Sequence, residues 1–90
     1  YIRLSTGLIL QWGSQGVGDI AGDYYGSWGY PITFPNVCLQ AFVTLHCTTG
    51  RLFDASAATT AVRNYSLDYT MQEWSSAAQS LTARFFLIGY

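Results

Sequence analysis

The sequence predicts an all-β domain, a small antiparallel β-sandwich. Short runs alternate apolar and polar residues with a period of two, as half-buried strands do. Gly, Pro, Asn, Ser and Thr interrupt these runs at modest intervals, the rhythm of a sandwich. Helix formers gather only between Ala55 and Ala61, a short stretch diluted by Ser and Thr and therefore expected to be loop. At 90 residues the chain forms one domain, which buries about 64% of its unfolded surface.

Tyr1 to Leu4 forms a short strand that Ser5-Thr6-Gly7 breaks. Leu8 to Trp12 forms the next, closed by Gly13, with Trp12 expected in the core. Gly13 to Gly29 holds six of the nine glycines and reads as a long loop with a weak strand at Val17 to Ala21. Tyr30 to Pro35 is extended but interrupted by prolines, which suits an edge or a connection. Val37 to Cys47 is the longest run; Val37, Leu39, Ala41, Val43 and Leu45 share one apolar face that should point inward. Arg51 to Thr60 reads as loop. Ala61 to Tyr69 alternates as one strand that Thr70 to Ser75 extends or pairs with, and Ser75 to Ser80 turns. Leu81 to Ile88 is apolar on both faces, which requires a central position or a neighbouring subunit.

Composition narrows the function. Only 10% of residues are charged, with no lysine, against about 25% in an ordinary domain. Half of the chain is hydrophobic and 17% is aromatic. A lone small domain usually carries a more polar coat, so copies of this chain or the rest of a longer one should cover part of the surface. A net charge of −1 leaves no basic footprint for nucleic acid, and the apolar runs fall far short of the roughly 20 residues that span a bilayer. The start has neither signal-peptide character nor a methionine, so the chain is expected to be one piece, residues 1–90, of a longer protein. Cys38 and Cys47 flank an extended run that holds them roughly 30 Å apart, beyond disulfide reach. Both are expected to be buried, inert thiols, in keeping with folding in a reducing compartment.

Three chemistries come from the side chains. Asp19 and Asp23 lie four apart without a calcium-loop pattern; solvated turn residues are the plainer reading. Asp68 beside Tyr69 and Glu73 beside Trp74 raise glycoside cleavage, which needs two carboxyls about 5–9 Å apart. His46 is the sole histidine; its strand neighbour Cys47 points to the opposite face, so no dyad forms. A hydrogen-bonding His at a strand end is expected, with three copies meeting at a metal as the alternative. Tyr24, Tyr25, Trp28 and Tyr30 carry the strongest binding signal, because sugar C–H faces stack on such rings while Asp23 takes hydroxyl hydrogen bonds. Arg51, Arg63, Asn64 and Trp74 are further candidates, and packing or subunit contact is the competing role of the rings. No cofactor or metal is expected.

Gly7-Leu8-Ile9-Leu10-Gln11-Trp12-Gly13, a glycine-rich stretch, Tyr30-Pro31-Ile32-Thr33-Phe34-Pro35-Asn36 and a terminal Ile88-Gly89-Tyr90 together resemble the C-terminal domain of bacteriophage tail fibres. The resemblance covers most of the chain, although residues 48 to 80 match no motif of the family and Ser5 stands where proline is common. It implies a homotrimeric, lectin-like β-sandwich at the distal tip of a phage or prophage fibre. Such a tip recognises a bacterial surface receptor, a glycan or an outer-membrane component, during host adsorption. It folds in the host cytoplasm, joins the virion, and inserts into no membrane. The alternatives are a trimerising cap without receptor contact and, less favoured, a polysaccharide-cleaving enzyme.

Overall fold

The computed structural model describes residues 1–20, 22–47, 55–73 and 79–90. All regular structure among them is strand: β1 (Ile2–Arg3), β2 (Ile9–Ile20), β3 (Gly22–Gly29), β4 (Cys38–Cys47), β5 (Ala55–Val62), β6 (Ser66–Glu73) and β7 (Gln79–Gly89). They form two antiparallel sheets, a four-stranded one in the order β1-β2-β7-β4 and a three-stranded one in the order β3-β6-β5. The expected sandwich is therefore present. The core between the sheets contains Ile9, Phe34, Leu67, Tyr69, Met71, Leu81, Ala83, Phe85 and Leu87.

The glycine-rich stretch departs most from expectation. Instead of a loop it supplies most of β2 and all of β3. Two of its glycines are seats for aromatic rings. A Cβ on Gly13 would lie 2.3 Å from Trp28 Cζ2 across the sandwich, and one on Gly26 would lie 2.5 Å from Cζ of Tyr69, its partner in register. A cross-strand ring laid over a glycine restores the packing that the missing side chain gives up. Gly18 serves differently: its φ of 75° accommodates the register shift between Gly16 and Gly18, a β-bulge conformation costly to other residues.

The rings that these glycines admit form a continuous chain. Trp28 stacks on Phe85 with centroids 4.3 Å apart. Phe85 meets Tyr69 edge-on at 5.3 Å, and Tyr69 meets Tyr24 at 6.2 Å. On the other side Trp28 touches Tyr30 at 5.8 Å and Tyr30 touches Phe34 at 5.7 Å. The Tyr69 hydroxyl donates to Gln15 Oε1, tying β6 to β2 across the core. Burial, with Tyr24 adding, pushes the Tyr69 phenol up to about 12.

The prolines do hold Tyr30 to Asn36 outside the strands, and Gln11 anchors this connection. Its amide donates to the Ile32 carbonyl and accepts from the Ile32 N–H, both at 2.9 Å. Gln11, not Trp12, is the buried residue of the pair; Trp12 points outward, contrary to the expectation that an indole in an apolar strand lies in the core. In β4 the shift between Cys38 and Gln40 turns Leu39 out to solvent, while Ala41, Val43 and Leu45 pack against the core as expected. Ala55 to Thr60 is strand, against the loop reading, because its small residues make the narrow edge β5. The expected single strand from Ala61 to Tyr69 is broken at Arg63 to Tyr65, where the Arg63 N–H donates to the Ser66 carbonyl and closes a β5–β6 hairpin. β7 is central, between β2 and β4, yet only its Leu81, Ala83, Phe85 and Leu87 face is buried. Cys38 and Cys47 form no disulfide. Burial pushes the Cys38 thiol up, against the opposing effect of the Tyr30 hydroxyl.

Candidate functional site

Strand alternation puts three polar rows on the outer face of the three-stranded sheet. Ser56, Gln72 and Asp23 lie side by side, then Ala58, Thr70 and Tyr25, then Ala61, Asp68 and Ser27. Tyr25 is the only large ring on these rows, and it is 76% exposed. On one side of it lies a depression of about 320 Å³ whose lining includes Asp23, Ser56, Thr70 and Gln72. On the other lies one of about 390 Å³ whose lining includes Ser27, Thr60 and Asp68.

Both depressions present carboxylates that are already positioned. Asp23 Oδ1 accepts from Gln72 Nε2 at 2.9 Å. Asp68 takes a two-pronged contact from Arg63, Nη1 to Oδ1 at 3.1 Å and Nη2 to Oδ2 at 2.8 Å. This Arg63 guanidinium, with the Ser27 hydroxyl second, holds the Asp68 carboxyl below its ordinary value. The pair also raises Arg63. The arrangement offers fixed acceptors, hydroxyls that both donate and accept, and one exposed ring.

The opposite outer face, that of the four-stranded sheet, has an apolar part beside the polar row Ser14–Arg84–Thr44. Trp12, Phe86 and Phe42 are in register across β2, β7 and β4 and are 47%, 41% and 51% exposed. Ile2, Leu10 and Ile88 make the adjoining row. Contiguous apolar surface of this kind marks a contact site on a soluble domain.

The candidate residues do not form one cluster. Tyr25 and Asp23 stand together on the polar face, whereas Tyr24 and Trp28, on the other parity of β3, pack against the core. Asn64 holds the hairpin to the proline segment: its Nδ2 donates to the Asn36 carbonyl at 2.9 Å and its own carbonyl accepts from the Phe34 N–H at 2.8 Å. Arg51 and Trp74 lie outside the described residues. Sequence reading passed over Gln72, Thr70 and Ser56, although the strict alternation of residues 66 to 73 already put the polar positions on one face.

The carboxylates do not make a glycosidase pair among the described residues. Asp68 faces outward and Glu73 is buried on the inward face. Asp23 and Ser27, the partner of Asp68, are four strand residues apart, so the α-carbons of the two aspartates are about 13 Å apart or more, against roughly 5–9.5 Å between the carboxyls of such pairs. No group of three or more His, Cys, Asp or Glu able to hold a metal occurs among the described residues. His46 stands exposed at the β4 end of the outer face of the four-stranded sheet.

Residues 3–90 match the family model for the gp53-like tail fiber protein, C-terminal. The chain belongs to this family. Among solved structures, this tail fibre domain is similar to a C-terminal portion of the R1 pyocin fiber of P. aeruginosa, with 32% identity and a TM-score of 0.84 over 94% of this chain and 24% of that one. It is equally similar to an N-truncated R1-type pyocin tail fiber, at 32% identity and a TM-score of 0.84, covering 73% of that chain. An R2-type pyocin tail fiber aligns over 94% of this chain at 25% identity with a TM-score of 0.65, covering 31% of that chain. A curated relative, the uncharacterized protein MJ0347 of Methanocaldococcus jannaschii, is 29% identical over the whole chain. The tail fibre domain spans 62% of that relative's length. The chain is thus a tail fibre C-terminal domain of the phage and pyocin type.

Proposed function

We propose that this domain is the distal receptor-binding tip of a longer tail fibre, a homotrimer that meets a carbohydrate on the bacterial surface. Three copies bury the Trp12–Phe86–Phe42 faces against one another, and the polar face around Tyr25 stays outward toward the host. The observation that carries this reading is the segregation of the two outer faces, one aromatic across three strands and one polar with a single exposed ring. Affinity comes from repetition, since linked weak sites gain avidity without new contacts. The domain holds to its receptor without cleaving it. It folds reduced in the cytoplasm of the producing cell, for a phage or a prophage-encoded particle, and acts on the assembled fibre.

Sedimentation and adsorption to a panel of bacteria test the reading together. Trimers at micromolar concentration that adsorb to a subset of strains are expected. Monomers overturn the assembly. Trimers that adsorb to no strain, while the complete fibre does, reassign the domain to trimerisation and capping.

A further inference from the structure

We infer that Tyr25 is the wall between two sugar subsites, and that this face binds an internal stretch of a neutral glycan chain rather than one terminal sugar. The inference rests on the reading of this face as carbohydrate-binding and adds the length and charge class of the ligand.

Length follows from the layout. Tyr25 borders both depressions, so a sugar stacked on either side of its ring leaves the other side open to the next unit. Polar groups continue through both: Asp23, Gln72 and Ser56 at one end, Ser27, Thr60 and Asp68 at the other. These rows span about 13 Å along the strands, so a lone sugar reaches only one set. The two depressions are open to solvent and follow one another along the strands, which leaves room for a chain lying over both.

Charge class follows from the ions. Each depression has a carboxylate, Asp23 or Asp68. Among the described residues, the cation beside Asp68 is Arg63, which Asp68 engages through both guanidinium prongs. A uronate or phosphate-bearing sugar would therefore meet the Asp23 carboxylate at one end and, at the other, a guanidinium already taken by Asp68, and like charges placed together are costly. Sugar hydroxyls and N-acetyl N–H groups find the reverse, since hydrogen bonds to an ionised acceptor are the strong ones. The Gln72 amide and the Thr70 and Ser56 hydroxyls complete a set that donates and accepts.

The test uses the chain in its native assembly and a bacterial strain to which it adsorbs. Tyr25→Ala should reduce adsorption at least about tenfold, as loss of an aromatic anchor does, while Tyr25→Phe keeps it; circular dichroism and sedimentation confirm that both variants keep fold and assembly. Periodate treatment of the cells, which cleaves vicinal diols, should abolish adsorption, and protease treatment should not. Neutral surface-polysaccharide fragments of two or more sugars should compete at least about tenfold better than their constituent monosaccharides or uronate-bearing fragments of equal length. Adsorption by Tyr25→Ala equal to wild type, competition by monosaccharides as strong as by chains, or preference for uronate fragments overturns the inference while the tip reading stands. Adsorption lost to protease and unaffected by periodate means a protein receptor and overturns the carbohydrate reading itself. Absence of adsorption to any strain overturns the receptor-binding tip.

Discussion

On the four-stranded sheet the outward row Trp12–Phe86–Phe42 is aromatic from strand to strand. On the three-stranded sheet the row Tyr25–Thr70–Ala58 sets one ring beside a hydroxyl and a methyl. Both rows come from strands with the same alternation and both back onto the same core, so inward packing does not dictate the difference. What differs is the destiny of the surface. Several adjacent rings displace water over a broad contact and favour another protein surface. One ring among fixed polar groups orients a small polar ligand.

A charge in the aromatic row should have the largest effect. Phe86→Asp places a carboxylate in the proposed trimer contact, at a half-exposed position of the single chain between Trp12 and Phe42. The expected outcome is a folded monomer, read by sedimentation and far-UV circular dichroism; persistent trimers would move the contact elsewhere. The ring seats beneath both faces come next. Gly13→Val drives a side chain into the Trp28 ring and should cost about 1–3 kcal/mol in a denaturant melt.

Tyr69→Phe sharpens the link between the sheets. It removes the hydrogen bond to Gln15 and should cost about 1–3 kcal/mol at neutral pH. It should also change the alkaline limb. Because the folded phenol is raised to about 12 from its ordinary value near 10, the folded state holds the proton that the unfolded chain releases. Its stabilising contribution is full below about pH 10 and lost as pH rises toward 12. Stability measured from pH 9 to 12 should therefore fall more steeply in wild type than in Tyr69→Phe. Burial raises Tyr30 as well, so some slope should remain in the variant.

The smallest effect belongs to the Arg63–Asp68 pair on the polar face. Asp68→Asn should lower the melting temperature slightly at low salt, less at high salt, because the pair is exposed and screened. Asp68 is depressed in the fold, so its contribution is present above the ordinary carboxylate value and lost as pH falls through the folded one. The variant and wild type should converge in acid.

The sandwich and the long β4 run were legible in the sequence, because period-two alternation is a local signal. Trp12 was misread because an isolated strand reveals two faces without saying which is inside; a buried glutamine beside an exposed indole reverses the usual preference. The glycine-rich stretch was misread because Gly13 and Gly26 answer to rings at Trp28 and Tyr69, contacts that no local window contains. Tyr25 was separable from Tyr24 and Trp28 only once β3 was known to be a strand, since in a loop the three rings could share one cluster.

The double hydrogen bond between Gln11 and Ile32 acts as a proofreader of phase. In a strand, a slip of one residue exchanges the two faces wholesale. For β2 that error would place Trp12 inside and Gln11 outside, reversing the aromatic row on which assembly is proposed to depend. A register chosen by apolarity alone would favour that error. The Gln11 amide works against it, because only the correct phase supplies a carbonyl and an N–H together at the bottom of the strand.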